Sequence, residues 1–180
     1  TKVINLGFED ALWRKLNNKT IIPENKHVYP TFRLHIARGK ISPKDAEMVA
    51  KIKDKLTQII PQNAIIFGPL GVGNHVDHII VNKIISEIDR KKAYWTDYPY
   101  SQYSDNVIVS LPKYCFSKNK SAKMDLITGY KTQLSAIFNN KILLEDEFFY
   151  SPVSGVNPLV SVCIPAHNEE ENIDQLIQSL

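Results

Sequence analysis

The chemically able side chains are densest at Gly73-Asn74-His75-Val76-Asp77-His78. His75 and His78 are three positions apart, so once a helix begins they occupy neighbouring places on one of its faces. An imidazole at such a place is either a hydrogen-bonded core residue or a metal ligand. Near the positive end of a helix the neutral ring is favoured, and the neutral ring is the form that binds zinc. Asp77, between the two histidines, has the chemistry to orient an imidazole or to hold a proton on it. The glycines before them let backbone approach a substrate closely. Taken alone, a His-x-x-His pair is also what two polar residues at a helix start look like.

Such residues act only if elements position them. Ala64-Ile65-Ile66-Phe67 is a short apolar run bounded by proline and glycine, which suits a strand buried on both faces. Gly68 to Asn74, rich in Gly and Pro, reads as a loop, and Val76 to about Arg90 as a helix. In that helix His78, Val81, Ile85 and Ile88 follow one apolar stripe toward the sheet. The histidines therefore fall where a strand hands over to a helix, the edge at which open α/β sheets bind ligands.

Other elements alternate in the same manner. Val3 to Leu6 reads as a strand ending at Gly7, and Phe8, Leu12 and Leu16 have helical spacing. Residues 17–40 hold Pro23, Pro30 and Gly39 without a sustained period and read mostly as loop. Ser42 as N-cap, Pro43 at the first position and Asp45 three residues after the cap open the clearest helix. It runs to about Ile60 with Ala46, Val49, Ile52, Leu56 and Ile59 on one face. Ala93-Tyr94-Trp95, Val107 to Leu111 and Glu147 to Tyr150 are further strands, and Ser121 to Phe138 a further helix. Strands alternating with helices predict an open α/β sheet.

Composition narrows the class. With 180 residues, 43% hydrophobic and 23% charged, the chain is a globular domain, or one incomplete domain and a piece of another. A net charge of +3, with no Lys/Arg cluster interleaved with aromatics, gives nucleic-acid binding no support. Lys51-Ile52-Lys53-Asp54-Lys55 reads as a solvated helix face. Cys115 and Cys163 are distant and outside any metal-ligand spacing, as expected of reduced thiols in a cytoplasmic protein. No apolar run is long enough to span a bilayer. His27 and His35 lie in irregular segments and read as surface histidines. The aromatic stretch Tyr94, Trp95, Tyr98, Tyr100 and Tyr103, around Asp97 and Pro99, either lines a sugar site or packs a strand and loop.

Pro69-Leu70-Gly71-Val72-Gly73-Asn74-His75-Val76-Asp77-His78 resembles the second signature of the PIG-L/LmbE family of zinc-dependent N-deacetylases, a glycine-rich loop followed by His-x-Asp-His. Leu6-Gly7-Phe8-Glu9-Asp10 is similar to that family's Leu-Gly-aromatic-x-Asp segment. Lys123 with Tyr130-Lys131-Thr132-Gln133-Leu134 is similar to its late helix, with Thr132 in place of the usual Ser. Asn74 stands where glycine is frequent. The resemblance covers residues 1–150 and implies a Rossmann-like open sheet that hydrolyses the N-acetyl group of an N-acetylglucosamine-type conjugate. By that resemblance His78 is a zinc ligand, His75 stabilises the oxyanion or protonates the leaving amine, and Asp77 tunes the pair. Gly73, Asn74 and Asp10 lie toward the substrate. A catalytic zinc site has three protein ligands and an open position. The family's His-Pro-Asp-Asp motif, source of its other ligands, does not precede Leu6, so those ligands are expected upstream of Thr1 and this piece by itself is expected to have little activity.

Ser151 to Pro158, with Pro152, Gly155 and Pro158, reads as a linker. After it, Val160-Ser161-Val162-Cys163-Ile164-Pro165-Ala166-His167-Asn168-Glu169-Glu170 resembles the nucleotide-binding opening of family 2 glycosyltransferases, with His167 in place of Tyr. That resemblance covers residues 158–180 only. It implies the first strand and helix of a GT-A domain, with Pro165, Ala166 and Glu169 near a nucleotide sugar and a divalent metal held by residues further on. Residues 159–180 are thus expected to begin a second domain of a bifunctional enzyme. Two other readings stand beside it: a glycosyltransferase with a catalytically dead accessory module, and a non-enzymatic α/β binding domain whose histidines satisfy a loop.

Overall fold

A computed structural model describes residues 4–16, 26–31, 33–103, 109–116, 120–129, 131, 134, 142, 144 and 146–152. The expected linker beyond Pro152 and the segment carrying Pro165, Ala166 and Glu169 lie outside these. Among the described residues, no helix is long and apolar enough to cross a membrane.

The fold is mixed α/β. Strands β1 (Ile65–Pro69), β2 (Lys91–Trp95), β3 (Lys113–Phe116) and β4 (Glu147–Tyr150) form a small open sheet in the order β1-β2-β4-β3. β1 and β2 run parallel, with Phe67 opposite Ala93, while β4 joins β2 and β3 antiparallel. Helices α1 (Ala46–Ile59), α2 (Val76–Glu87) and α3 (Lys120–Gly129) complete the set. The parallel β1-α2-β2 unit is the crossover expected of an incomplete Rossmann-like sheet.

α2 packs directly on β1. Gly68 leaves room for it: a Cβ there would stand 2.1 Å from Ile85 Cδ1. The buried stripe of α2 is Val76, Ile80 and Ile84, joined by Ile85 and Ile88. Each isoleucine withdrawn from water stabilises the fold by about 2 kcal/mol. The stripe is thus shifted from the expected one: Ile85 and Ile88 belong to it, but His78 and Val81 sit at its half-buried margin. α1 covers this core with Val49, Ile52 and Leu56, whereas Ala46 and Ile59 of the expected face are exposed. On the other sheet face Phe67, Trp95, Phe149 and Tyr114 form a half-buried aromatic row, with successive ring centroids 5.0 Å (Phe67–Trp95), 6.2 Å (Phe67–Phe149) and 5.0 Å (Tyr114–Phe149) apart.

Four expectations are corrected. Residues 4–10 run without regular structure instead of forming a strand, and the helix expected over Phe8 to Leu16 is a single turn. Asp10 explains the turn: its carboxylate accepts from the Leu12 amide at 2.8 Å and its carbonyl from Trp13 at 2.9 Å, a local competitor to helix. The chain then pairs Lys15 with His27 in a bridge. Gly68 and Pro69, expected in the loop, belong to β1, because the parallel register with β2 continues through Pro69 opposite Trp95. Of Val107 to Leu111, residues 107 and 108 lie outside the described set and residues 109–111 are not in a strand; the third strand begins at Lys113. The late helix spans Lys120–Gly129. Most of Tyr130 to Phe138 lies outside the described residues.

Ser42 acts as expected of a cap, its hydroxyl accepting from Lys44, but a short 3-10 turn over Pro43–Asp45 intervenes before α1. Asp45 is buried in that turn. Its carboxylate accepts from the Tyr29 hydroxyl at 2.7 Å, and Tyr29 oxygen in turn accepts from the Ser42 amide at 2.9 Å.

Candidate functional site

The site forms at the C-terminal ends of the parallel pair. β1 leads into the loop Leu70–Asn74 and so to α2; β2 leads, two residues past Trp95, to Asp97. The loop turns through left-handed backbone at Gly71 (φ 84°), Gly73 (φ 80°) and Asn74 (φ 60°). Asp97 is 1% exposed, and its Oδ2 accepts from the amides of Gly71 at 2.7 Å and Val72 at 2.8 Å. One buried carboxylate thereby clamps the loop of one strand to the exit of the next.

Asp97 also faces His78. Its Oδ1 lies 2.8 Å from His78 Nδ1. This approach falls outside aligned hydrogen-bond geometry, so it is a close polar contact, and neither atom has another partner among the described residues. A carboxylate at Nδ1 keeps the proton on that nitrogen and leaves the Nε2 lone pair as acceptor, the arrangement ligating histidines use. The His78 side chain is 20% exposed.

His75 is the N-cap of α2: it has extended backbone, and its Nδ1 accepts from the Asp77 amide at 3.3 Å. With Nδ1 accepting, a neutral ring carries its proton on Nε2. Burial, and next the neighbouring His78, pull its pKa down to about 4, so the ring is neutral at neutral pH. The centroids of His75 and His78 are 5.0 Å apart, and Tyr100 stands 5.6 Å from the first and 5.5 Å from the second. Burial, followed by Asp10, Asp97 and Asp77, raises the Tyr100 phenol and keeps it protonated. Tyr100 packs on the loop through its Cβ, and a Cβ on Gly73 would come within 2.3 Å of that atom.

Asp77 turns away to a second group of charges. Its Oδ2 accepts from the Ala11 amide at 2.8 Å, and its Oδ1 is 2.6 Å from Arg14 Nη2. Burial pushes the Asp77 carboxyl up against the pull of Arg14 and the Ala11 amide. The buried Arg14 guanidinium also reaches Asp45 at 3.5 Å and lies 5.1 Å over the Tyr29 ring. The Asp10 turn is thereby fixed against the start of α2.

Of the residues singled out from sequence, His75, His78 and Gly73 come together, whereas the Asp77 carboxylate, expected to tune the histidine pair, faces Arg14 and the Ala11 amide instead. Asn74 is exposed beside Gly39, whose Cβ, if present, would stand 3.2 Å from Asn74 Cβ. Asp10 is half-buried at the edge, within electrostatic reach of His75. His27 and His35 make local hydrogen bonds, to the Leu12 carbonyl at 3.1 Å and the Thr31 hydroxyl at 2.9 Å. Lys123 Nζ lies 3.8 Å over the Tyr98 ring. Asp97, Arg14 and Asp45 were not singled out as site residues. The signal for Asp97 was its place just past the C-terminal end of a strand parallel to β1; for Arg14 and Asp45 no local pattern existed.

Together the fold and this cluster define an open α/β protein with a histidine-carboxylate site at the carboxyl edge of its parallel strands. No family model matches the chain, and no curated protein does. Among solved structures, the crystal structure of the A40926 pseudoaglycone deacetylase Dbv21 is similar over 61% of this chain and 58% of that one, with 19% identity and a TM-score of 0.40. The chain thus spans less than two thirds of that protein's length.

Proposed function

We propose that this chain belongs to a metal-assisted N-deacetylase that hydrolyses the acetamido group of an N-acetylglucosamine-type conjugate. The observation that supports it best is His78 backed at Nδ1 by the fully buried Asp97, at the mouth of a glycine loop. Hydrolysis joins water oxygen to the acetyl carbon, breaks the C–N bond, gives the nitrogen a proton and releases acetate. A neutral, buried His75 beside His78 is suited to hydrogen-bond the oxygen that gains charge, or to pass a proton to the departing amine.

Zinc would supply a Lewis acid and an activated water. The described residues fit it in part. His78 is an oriented ligand, but no group of three His, Cys, Asp or Glu able to hold a metal occurs among the described residues. In this reading the remaining ligands come from residues outside that set, so no step is derived through the metal. The family 2 glycosyltransferase reading of residues 159–180, with its nucleotide sugar, rests on its sequence motif alone.

The test is acetate release from N-acetylglucosaminyl compounds by the intact protein with zinc present. Release that His78→Ala abolishes together with zinc supports the reading. Absence of release from the zinc-loaded protein refutes it.

A further inference from the structure

We propose that the Tyr100 hydroxyl is a catalytic hydrogen-bond donor of this site, directed to the carbonyl oxygen of the acetamido group as that oxygen gains charge. The inference rests on the hydrolase reading above and adds a residue to it. Three rings, His75, His78 and Tyr100, form a near-equilateral triangle with sides of 5.0, 5.6 and 5.5 Å. Tyr100 meets His75 at a tilt of 38° and His78 edge-on at 84°. A group bound against both imidazoles therefore lies beside the phenol as well.

The position of the ring is built in from both sides. Asp97, which holds His78, accepts the Ser101 amide on its own carbonyl at 2.9 Å, so Asp97 and Tyr100 belong to one turn. Gly73, two residues before His75, has no side chain at the point where Tyr100 Cβ packs. The hydroxyl, by contrast, has no hydrogen-bond partner among the described residues, and it is not one of the enclosed polar atoms left unpaired, so it is open to solvent. A donor open to solvent on a half-buried ring can exchange its water for an acceptor on a bound molecule. Here the natural partner is an acceptor brought by the ligand. The acceptor flanked by both imidazoles is the oxygen of the amide to be cleaved.

Tyr100→Phe keeps the ring and its packing and removes only the donor. In the intact zinc-loaded protein, kcat for acetate release from an N-acetylglucosaminyl conjugate falls about 100-fold. KM, zinc content and Tm stay near those of wild type, because the hydroxyl holds nothing else in the fold. Unchanged kcat in Tyr100→Phe overturns the assignment and leaves the hydrolase reading standing. A loss of kcat accompanied by lost zinc or a lowered Tm overturns it in favour of a structural tyrosine. A wild-type protein that releases no acetate overturns the hydrolase reading, and this assignment with it.

Discussion

Asp97 ties two loop amides and one imidazole to a single buried carboxylate. Replacing it with Asn keeps the size but removes the charge that fixes the His78 tautomer. In the proposed metal site, Asp97→Asn lowers zinc affinity about 10- to 100-fold, read by competition with a chromophoric chelator. Equal affinity in variant and wild type would show that the pair does not serve a metal. Arg14 carries a different burden. It stands between Asp77 and Asp45, both enclosed. Arg14→Met leaves two buried carboxylates without their cation and destabilises the protein by about 3–5 kcal/mol at neutral pH. The Asp77 carboxyl already titrates above its usual range, and loss of Arg14 raises it further. A carboxyl with a folded pKa above its unfolded one favours the folded state at low pH and loses that advantage as pH rises. The penalty for Arg14→Met in zinc-free protein is therefore larger at pH 7 than at pH 5, measured by urea unfolding. A penalty independent of pH would rule out buried charge as its origin.

At the scale of elements, the loop between β1 and α2 has to reverse direction while packing against Tyr100. Gly73→Ala sets a Cβ at φ 80° within 2.3 Å of another side chain's Cβ, which is strain and overpacking at once. Unfolding measurements are expected to show a loss of about 2–4 kcal/mol. Asn74 at φ 60° is the mild case, since Asn tolerates this backbone and Gly prefers it. Asn74→Gly changes stability by less than about 1 kcal/mol and Asn74→Val lowers it by more. The reverse order in a thermal melt would refute the left-handed turn. This loop was legible in sequence because Gly and Pro act locally, and the same holds for the Ser42-Pro43 helix start and for the apolar runs of β1 and β2. Phe8 to Leu16 misled because spacing was read without the Asp10 side chain, which closes its own turn. Asp97 and Arg14 were not singled out because their partners lie far along the chain: Asp97 is 26 residues from Gly71 and Arg14 faces Asp77 and Asp45 across separate segments. Periodicity carries no trace of such pairs.

For the whole molecule, the decisive quantity is the number of oriented donors against what a metal needs. The open sheet gathers His75, His78, Asp97 and Tyr100 at one edge, yet Asp97 is consumed by two amides and by His78. His75 accepts from its own helix through Nδ1. Among the described residues of the site, that leaves one imidazole nitrogen, Nε2 of His78, as a preformed ligand atom, where a catalytic zinc takes three protein ligands. The 180-residue chain by itself is therefore expected to hold zinc weakly. After equilibration with zinc and dialysis, it should retain well below one equivalent, with His78→Ala retaining no less than wild type. In the proposed deacetylase reading, a form of the protein that supplies the remaining ligands retains one equivalent and loses it on the same substitution. One equivalent held tightly by the 180-residue chain would mean that residues outside the described set complete the site from within it, and the donor count would have to be redrawn.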